Sequence, residues 1–240
     1  MKQPDVLTAL EFCVTEKHDC GYLPHRQATT LFVNPAIDLQ QQHYSFLATM
    51  GFRRSGNHVY RPHCEQCQLC IPVRLNVARF KASKQQRRCW NKNTEIVTLP
   101  HPTQFNEEHF NLYARYLRAR HPEGGMDPTS KTAYNDIINS HWCDSELMEF
   151  RLGQQLVAVA VMDKLSDGLS AVYTFFEPEL ANLSLGILAI QHQIALVRQR
   201  NLKWLYLGYW NPESKKMSYK VHFQPLQYFV EGRWQTDKPY

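Results

Sequence analysis

The chain has 240 residues, 43% of them apolar and 12% aromatic, which is ample for a packed core and excludes a disordered chain. Its 27 basic and 22 acidic residues give a net charge of +5, which favours a polyanionic partner but is far below the charge of a nucleic-acid coat protein. Seven cysteines is an odd count in a chain too long to need disulfide staples, the start MKQPDVLTALEF lacks the apolar centre of a signal peptide, and apolar runs such as 156-LVAVAVM-162 are too short to cross a bilayer. A reduced, cytoplasmic protein with no membrane function is expected.

Residues 20–100 carry most of the cysteines in short apolar pieces broken by Pro24, Pro35, Pro62 and Pro72, so residues 1–100 read as a small, loop-rich unit containing strands. Within it, 63-HCEQCQLCIPVR-74 places Cys64, Cys67 and Cys70 at even spacing, and Arg74, Arg79, Lys81, Lys84, Arg87, Arg88 and Lys92 follow with no acidic residue between positions 71 and 94. From residue 101 the pattern is regular. Phe110, Tyr113 and Leu117 recur at helical spacing in 106-NEEHFNLYARYLRARH-121, with acids at its start and arginines at its end. Three strand-like runs, 147–152, 156–165 and 169–178, follow with hairpin-length connections. A second helix over 181–201 has Leu183, Ile187, Ile190, Ile194 and Val197 on one face, and a strand over 203–210, a helix over 213–220 and a strand over 221–230 complete the chain. The expected architecture is α/β (α+β): a cysteine-containing N-terminal domain, 1–100, and a domain over 101–240 with a mixed, mainly antiparallel sheet. Its element order resembles that of the GNAT acyltransferases.

The residues carry a more specific resemblance. The blocks 20-CGYLP-24, 51-GFRRSGNHVYRPHCEQCQLCIPVR-74, 79-RFKASKQQRR-88, 121-HPEGGMD-127, 173-YTFFEPELANLSLG-186 and 208-GYWNPESKKMSYKVHFQPLQ-227 resemble the aminoacyl-tRNA–protein transferases, in particular the bacterial aspartate/glutamate leucyltransferases, relatives of the eukaryotic arginyltransferases. The resemblance implies transfer of leucine from Leu-tRNA to the N-terminal amine of proteins beginning with Asp or Glu, which marks them for degradation. Its rivals are arginine as the donor, an acetyl-CoA-dependent N-acetyltransferase, and a non-enzymatic, zinc-stabilised RNA-binding module.

The chemistry asks little of the protein. An aminoacyl ester is already activated, and an α-amine with a pKa of about 7.7–8.0 is appreciably neutral near pH 7, so neither a covalent nucleophile nor a cofactor is required. Juxtaposition, neutralisation of the oxyanion and one proton shuttle remain to be supplied. Arg79, Lys81, Lys84, Arg87 and Arg88, with Trp90 available for stacking, form a candidate tRNA backbone surface, although the same run also reads as a solvated basic helix. Lys215, Lys216, Tyr219 and Lys220 form a second basic cluster, which the GNAT layout would put near the acceptor end of the tRNA.

Ser184 and Gly186 stand where acetyl-CoA-dependent relatives hold pyrophosphate, but Ala181 and Ser184 replace the first loop residues, which argues for a different acyl donor; a helix N-cap is the ordinary use of such a serine. Recognition of an acidic N-terminal side chain calls for the planar fork of arginine, and Arg53, Arg54, Arg74 and Arg120, with His121, are the candidates. Tyr173, Phe175, Phe176 and Tyr209 could form a leucine pocket or serve as core. The eukaryotic relatives carry metal-binding cysteines in the matching region, which suggests Cys20, Cys64, Cys67 and Cys70 as ligands for a structural zinc or an iron–sulfur cluster. Here Leu23 replaces one of their cysteines, and buried reduced thiols are the competing reading.

Overall fold

A computed structural model describes residues 10–122 and 126–240, so the GG of the HPEGGMD block and the glutamate before it lie outside the described residues. The chain runs β1 (Phe12–Val14), β2 (His18–Asp19), β3 (Gln27–Ala28), β4 (Thr30–Val33), α1 (Gln41–Thr49), β5 (Arg53–Ser55), β6 (His58–Pro62), β7 (Ile71–Asn76), α2 (Lys84–Lys92), β8 (Ile96–His101), α3 (Glu107–Arg120) and α4 (Lys131–Ile138). It continues through β9 (Ser145–Leu152), β10 (Gln155–Lys164), β11 (Gly168–Phe176), α5 (Leu185–Gln199), β12 (Trp204–Trp210), β13 (Leu226–Val230) and β14 (Arg233–Gln235), with 3-10 helices at Pro178–Leu183 and Lys215–His222.

Strands β14-β13-β7-β12-β11-β10-β9-β8 form one sheet, and β1-β4-β6-β5 form a smaller one. All recorded pairs in the large sheet are antiparallel except β11 with β12. This is the mixed, mainly antiparallel sheet expected from the sequence. β10 shows why its sequence reads as an unbroken apolar run: alternate residues are buried on both faces. Val157, Ala158, Ala160 and Met162 belong to the core under α5, while Leu156, Val159 and Val161 belong to the core under α3 and α4. Each fully buried Leu or Val of these layers contributes roughly 1.5–3 kcal/mol of transfer free energy.

Two expectations change in detail. β7 lies between β12 and β13, so the large sheet spans the expected boundary at residue 100. The segment 213–220 is a 3-10 rather than an α-helix, and it runs on to His222, which delays the last long strand to Leu226. Its three-residue period decides which side chains are buried: Ser214, Met217, Lys220 and Phe223 face inward, and Lys215, Lys216 and Tyr219 face out.

Candidate active site

β11 and β12 pair in parallel only at Gly168 with Trp204, Leu169 with Leu205 and Ser170 with Tyr206. Beyond that point the two strands separate, and β12 shifts register against β7 between Tyr206 and Gly208. Arg53 of β5 fills the opening. Its Nη2 donates to the Ala171 carbonyl and, at 3.1 Å, to the Val172 carbonyl, two β11 oxygens that β12 no longer reaches. Gly208 has φ +76°, and a Cβ there would overlap Arg53 Nη1, so glycine is required both by the backbone and by the guanidinium against it.

Lys220 is buried here, 7% exposed, and its Nζ donates to the Tyr209 carbonyl of β12 at 2.5 Å. Among the described residues, no carboxylate forms an ion pair with Arg53 or Lys220. Hydroxyl groups surround them instead. Burial raises the Tyr60 and Tyr209 hydroxyls above the ordinary phenol range and pushes Tyr22 up to about 12, so these groups stay neutral. Tyr209 itself donates to the Gly51 and Tyr60 carbonyls at 3.2 and 3.0 Å, which locks β12 to the β5–β6 hairpin.

The rim is also cationic. Arg120 and His121 end α3, and burial followed by the charges of Lys216 and Arg120 lowers the His121 pKa, so the 3-10 helix comes near the end of α3. Tyr116 packs on Phe176 at 4.9 Å and on His121 at 5.5 Å between ring centroids. Lys215, Lys216 and Tyr219 are exposed at this edge. Gln86 Nε2 of α2 donates to the His222 carbonyl at 3.0 Å, and Phe80 stacks on Phe223 at 6.0 Å, so the basic segment 79–92 abuts the 3-10 helix. Arg79, Lys81, Lys84, Arg87 and Arg88 are all exposed, and Trp90, 39% exposed, stacks on His192 at 4.5 Å.

α2 also touches the start of α5. The Leu183 carbonyl accepts from the Cys89 thiol at 3.7 Å and from Asn93 Nδ2 at 3.0 Å, and the Asn182 carbonyl accepts from Lys92 at 3.1 Å. Ser184 sits at the N-cap position with φ +55° and no capping bond from its side chain, so its hydroxyl is not used as an N-cap serine uses it. Gly186 packs at ordinary distance on Phe176. Phe175 is wholly buried with α3 and α4 behind it and so serves the core, while Tyr173 and Phe176 lie toward Tyr116.

Two of the arginines expected to read an acidic side chain are occupied by the fold. Arg54, 3% exposed, gives Nε and Nη2 to both Asp163 oxygens at 2.9 and 2.8 Å, and its remaining donors reach the carbonyls of Gly56, Asp136 and Ile137. Arg74 lies between the Trp204 and Trp234 rings at 3.8 and 4.2 Å and donates to Gln227 and Tyr206. Arg54 has every donor nitrogen engaged within the fold, and the Arg74 guanidinium is held between the two indole rings. Lys220, which the sequence grouped with surface phosphate-binding lysines, is internal. Sequence reading missed Tyr22, Tyr60 and Tyr116; the three-residue spacing from Ser214 to Phe223 was the available signal for the inward turn of Lys220.

Cys20, Cys64, Cys67 and Cys70 do line one cavity of about 450 Å³ beside Arg26 and Asn211. No three of their sulfur atoms lie within 4.8 Å of one another, although Cys20, Cys64 and Cys67 all lie near enough to Cys70 to act on its thiol. Cys64 donates to the Thr29 carbonyl at 3.7 Å, Asn211 Nδ2 donates to Cys70 Sγ at 3.7 Å, and burial pushes the Cys70 thiol up to about 11. Among the described residues, three ligand-type atoms come within 4.8 Å of one another at His101, His109 and Glu149 instead. There Arg151 Nε holds one Glu149 oxygen at 2.7 Å and His109 Nε2 holds the other at 2.6 Å, as in an ordinary buried ion network.

Family models for the arginine-tRNA-protein transferase N terminus and C terminus match residues 18–88 and 108–230. The chain belongs to this transferase family. It is 46% identical over 229 residues to an aspartate/glutamate leucyltransferase of Teredinibacter turnerae, covering 95% of this chain and 94% of that one. It is 45% identical over 228 residues to the enzyme of that name from Marinobacter nauticus, covering 95% and 96%. Among solved structures, L-PGS from Bacillus licheniformis overlaps with a TM-score of 0.48 at 9% identity, over 72% of this chain and 51% of that one. The family's aminoacyltransferase character agrees with a cleft whose rim is cationic. No helix among the described residues is long and apolar enough to cross a membrane.

Proposed function

We propose that this transferase moves leucine from Leu-tRNA to the N-terminal amine of proteins that begin with Asp or Glu, in the cytoplasm where charged tRNA is made, and so creates a degradation signal. The observation that carries the reading is the cleft between β11 and β12, which holds the Arg53 guanidinium with no carboxylate among the described residues to balance it. Enclosed positive charge without a protein partner selects an anionic ligand. The acidic side chain of the acceptor is assigned to Arg53, with Arg120 and His121 drawing it in from the rim. The tRNA backbone is assigned to Arg79, Lys81, Lys84, Arg87 and Arg88, its acceptor end to Lys215, Lys216 and Tyr219, and the region of Ser184 and Gly186 to the edge of the same path. The reaction itself needs no cofactor, because the ester is activated before it arrives.

The test is transfer of labelled amino acid from separately charged Leu-tRNA and Arg-tRNA to peptides that start with Asp, Glu or Lys and are otherwise identical. Leucine on the Asp and Glu peptides alone is the expected result. Transfer of arginine instead would change the donor and keep the acceptor site, whereas equal transfer to the Lys peptide would remove the role given to Arg53. Arg53→Lys, which keeps the charge and loses the fork, is expected to lower kcat/KM for the Asp peptide about 10-fold or more.

A further inference from the structure

We propose that Lys220 is the proton shuttle of the transfer reaction, working as a neutral amine rather than as a cation for tRNA phosphate. The inference rests on the transferase reading above and assigns a role to one group within that cleft.

The geometry separates Lys220 from its neighbours in sequence. Lys215 and Lys216 face solvent, whereas the three-residue period turns Lys220 inward with Met217 and Phe223. Its Nζ reaches the Tyr209 carbonyl in the part of β12 that has parted from β11. Among the described residues that carbonyl is its one acceptor, and for a group with three possible donors this suits an amine better than an ammonium ion, which when buried normally has every donor satisfied.

The groups facing Lys220 favour the neutral form. Arg53 of β5 is the charged group across the cleft, Cys70 comes from the loop before β7, Tyr209 is the β12 neighbour, and the Tyr219 ring of the same 3-10 helix has its centroid 5.8 Å from Nζ. Burial, followed by the Arg53 charge, lowers the Lys220 pKa to about 7. Cys70 acts in the opposite direction and is the weaker influence. A lysine with this pKa can accept and return a proton at neutral pH, as a general base and acid must.

The step balances with groups already present. The neutral N-terminal amine of the acceptor attacks the ester carbonyl carbon and forms the new C–N bond. The proton that this nitrogen must lose passes to Lys220 Nζ. The bond from the carbonyl carbon to the ribose oxygen then breaks, and the Lys220 ammonium gives its proton to that oxygen. Ester and amine become amide and ribose hydroxyl, and Lys220 is neutral again. Arg53 stays charged throughout and holds the acidic side chain.

The experiment is single-turnover leucine transfer from Leu-tRNA to an Asp-starting peptide by the full-length wild-type protein and by Lys220→Arg, Lys220→Met and Lys220→Ala, with tRNA affinity measured alongside. For the wild type, both the acceptor amine and Lys220 must lose a proton, so log kcat/KM should rise with a slope approaching 2 below about pH 7. The variants should lose about 10²-fold or more in rate, show a slope of 1, and keep tRNA affinity within about threefold. Added methylamine or ethylamine should restore part of the Lys220→Ala rate. Near wild-type turnover by Lys220→Arg, or loss of tRNA affinity in step with activity, would overturn the proposal and leave Lys220 a plain cation. An inactive wild-type protein with every charged tRNA would instead remove the underlying transferase reading. Lys220→Met, close to lysine in length, keeps the comparison open if the alanine variant does not fold.

Discussion

Arg54 presents Nε and Nη2 to the two oxygens of Asp163, while Arg53 beside it on the same strand reaches into the cleft toward carbonyls and tyrosine rings. The alternation of a β-strand puts neighbouring side chains on opposite faces, and here one face is a closed ion pair and the other an open site. Sequence reading could name both as arginines suited to a carboxylate, but the carboxylate that claims Arg54 lies more than a hundred positions away at Asp163. Asp163→Asn should therefore cost about 3–5 kcal/mol, because it leaves a buried guanidinium uncompensated. A thermal melt should register this as a Tm lower by roughly 6–20 °C. His192 gives a second check at this scale. Burial lowers its pKa beneath Trp90 and against Phe150, so the folded protein keeps the ring neutral where the unfolded chain takes up a proton. Its contribution is present above the unfolded value of about 6.5 and is lost as pH falls below it. The slope of Tm against pH between 7 and 5 should be shallower in His192→Phe, which keeps an aromatic ring.

Among the elements, α2 joins fold and function most directly. Ser83 accepts from the Gln86 backbone at 3.2 Å while Gln86 Oε1 accepts from the Ser83 backbone at 2.8 Å, a reciprocal cap that leaves the Gln86 amide nitrogen free to reach His222. One side chain thus fixes the start of the basic helix and its contact with the cationic 3-10 segment. Ser83→Ala should cost about 1 kcal/mol in chemical denaturation. Charge reversal at Arg87 and Arg88 together should leave the melting curve near wild type, weaken tRNA binding, and flatten the dependence of log K on log salt by roughly 2 if each contacts one phosphate. The regular elements, α3, the β9–β11 meander, α5 and β12, were legible because their apolar periodicity is strong. The 3-10 segment was not, since a short run of lysines with one buried member looks the same at period 3.6 as at period 3 until the fold supplies an inside.

At the scale of the whole molecule, β7 was the hidden element. Its alternation, with Ile71, Val73 and Leu75 buried, shows that it is a strand, but nothing local says that its partners are β12 and β13. A fragment covering residues 101–240 should therefore fail to fold, with β12 and β13 each missing a neighbour in the middle of the sheet. Circular dichroism and the absence of a cooperative melt would register this, and adding residues 1–100 as a separate chain should restore a transition only if the fragments associate. The same position has a consequence for synthesis. When β7 leaves the ribosome, the polypeptide that will flank it on both sides has not yet been made, and Trp204 lies well over a hundred residues further on. At about 5–20 residues per second the nascent strand waits on the order of ten seconds with an unpaired apolar face, so fast translation and holding chaperones should raise the yield of this protein more than that of a chain whose central strands are neighbours in sequence.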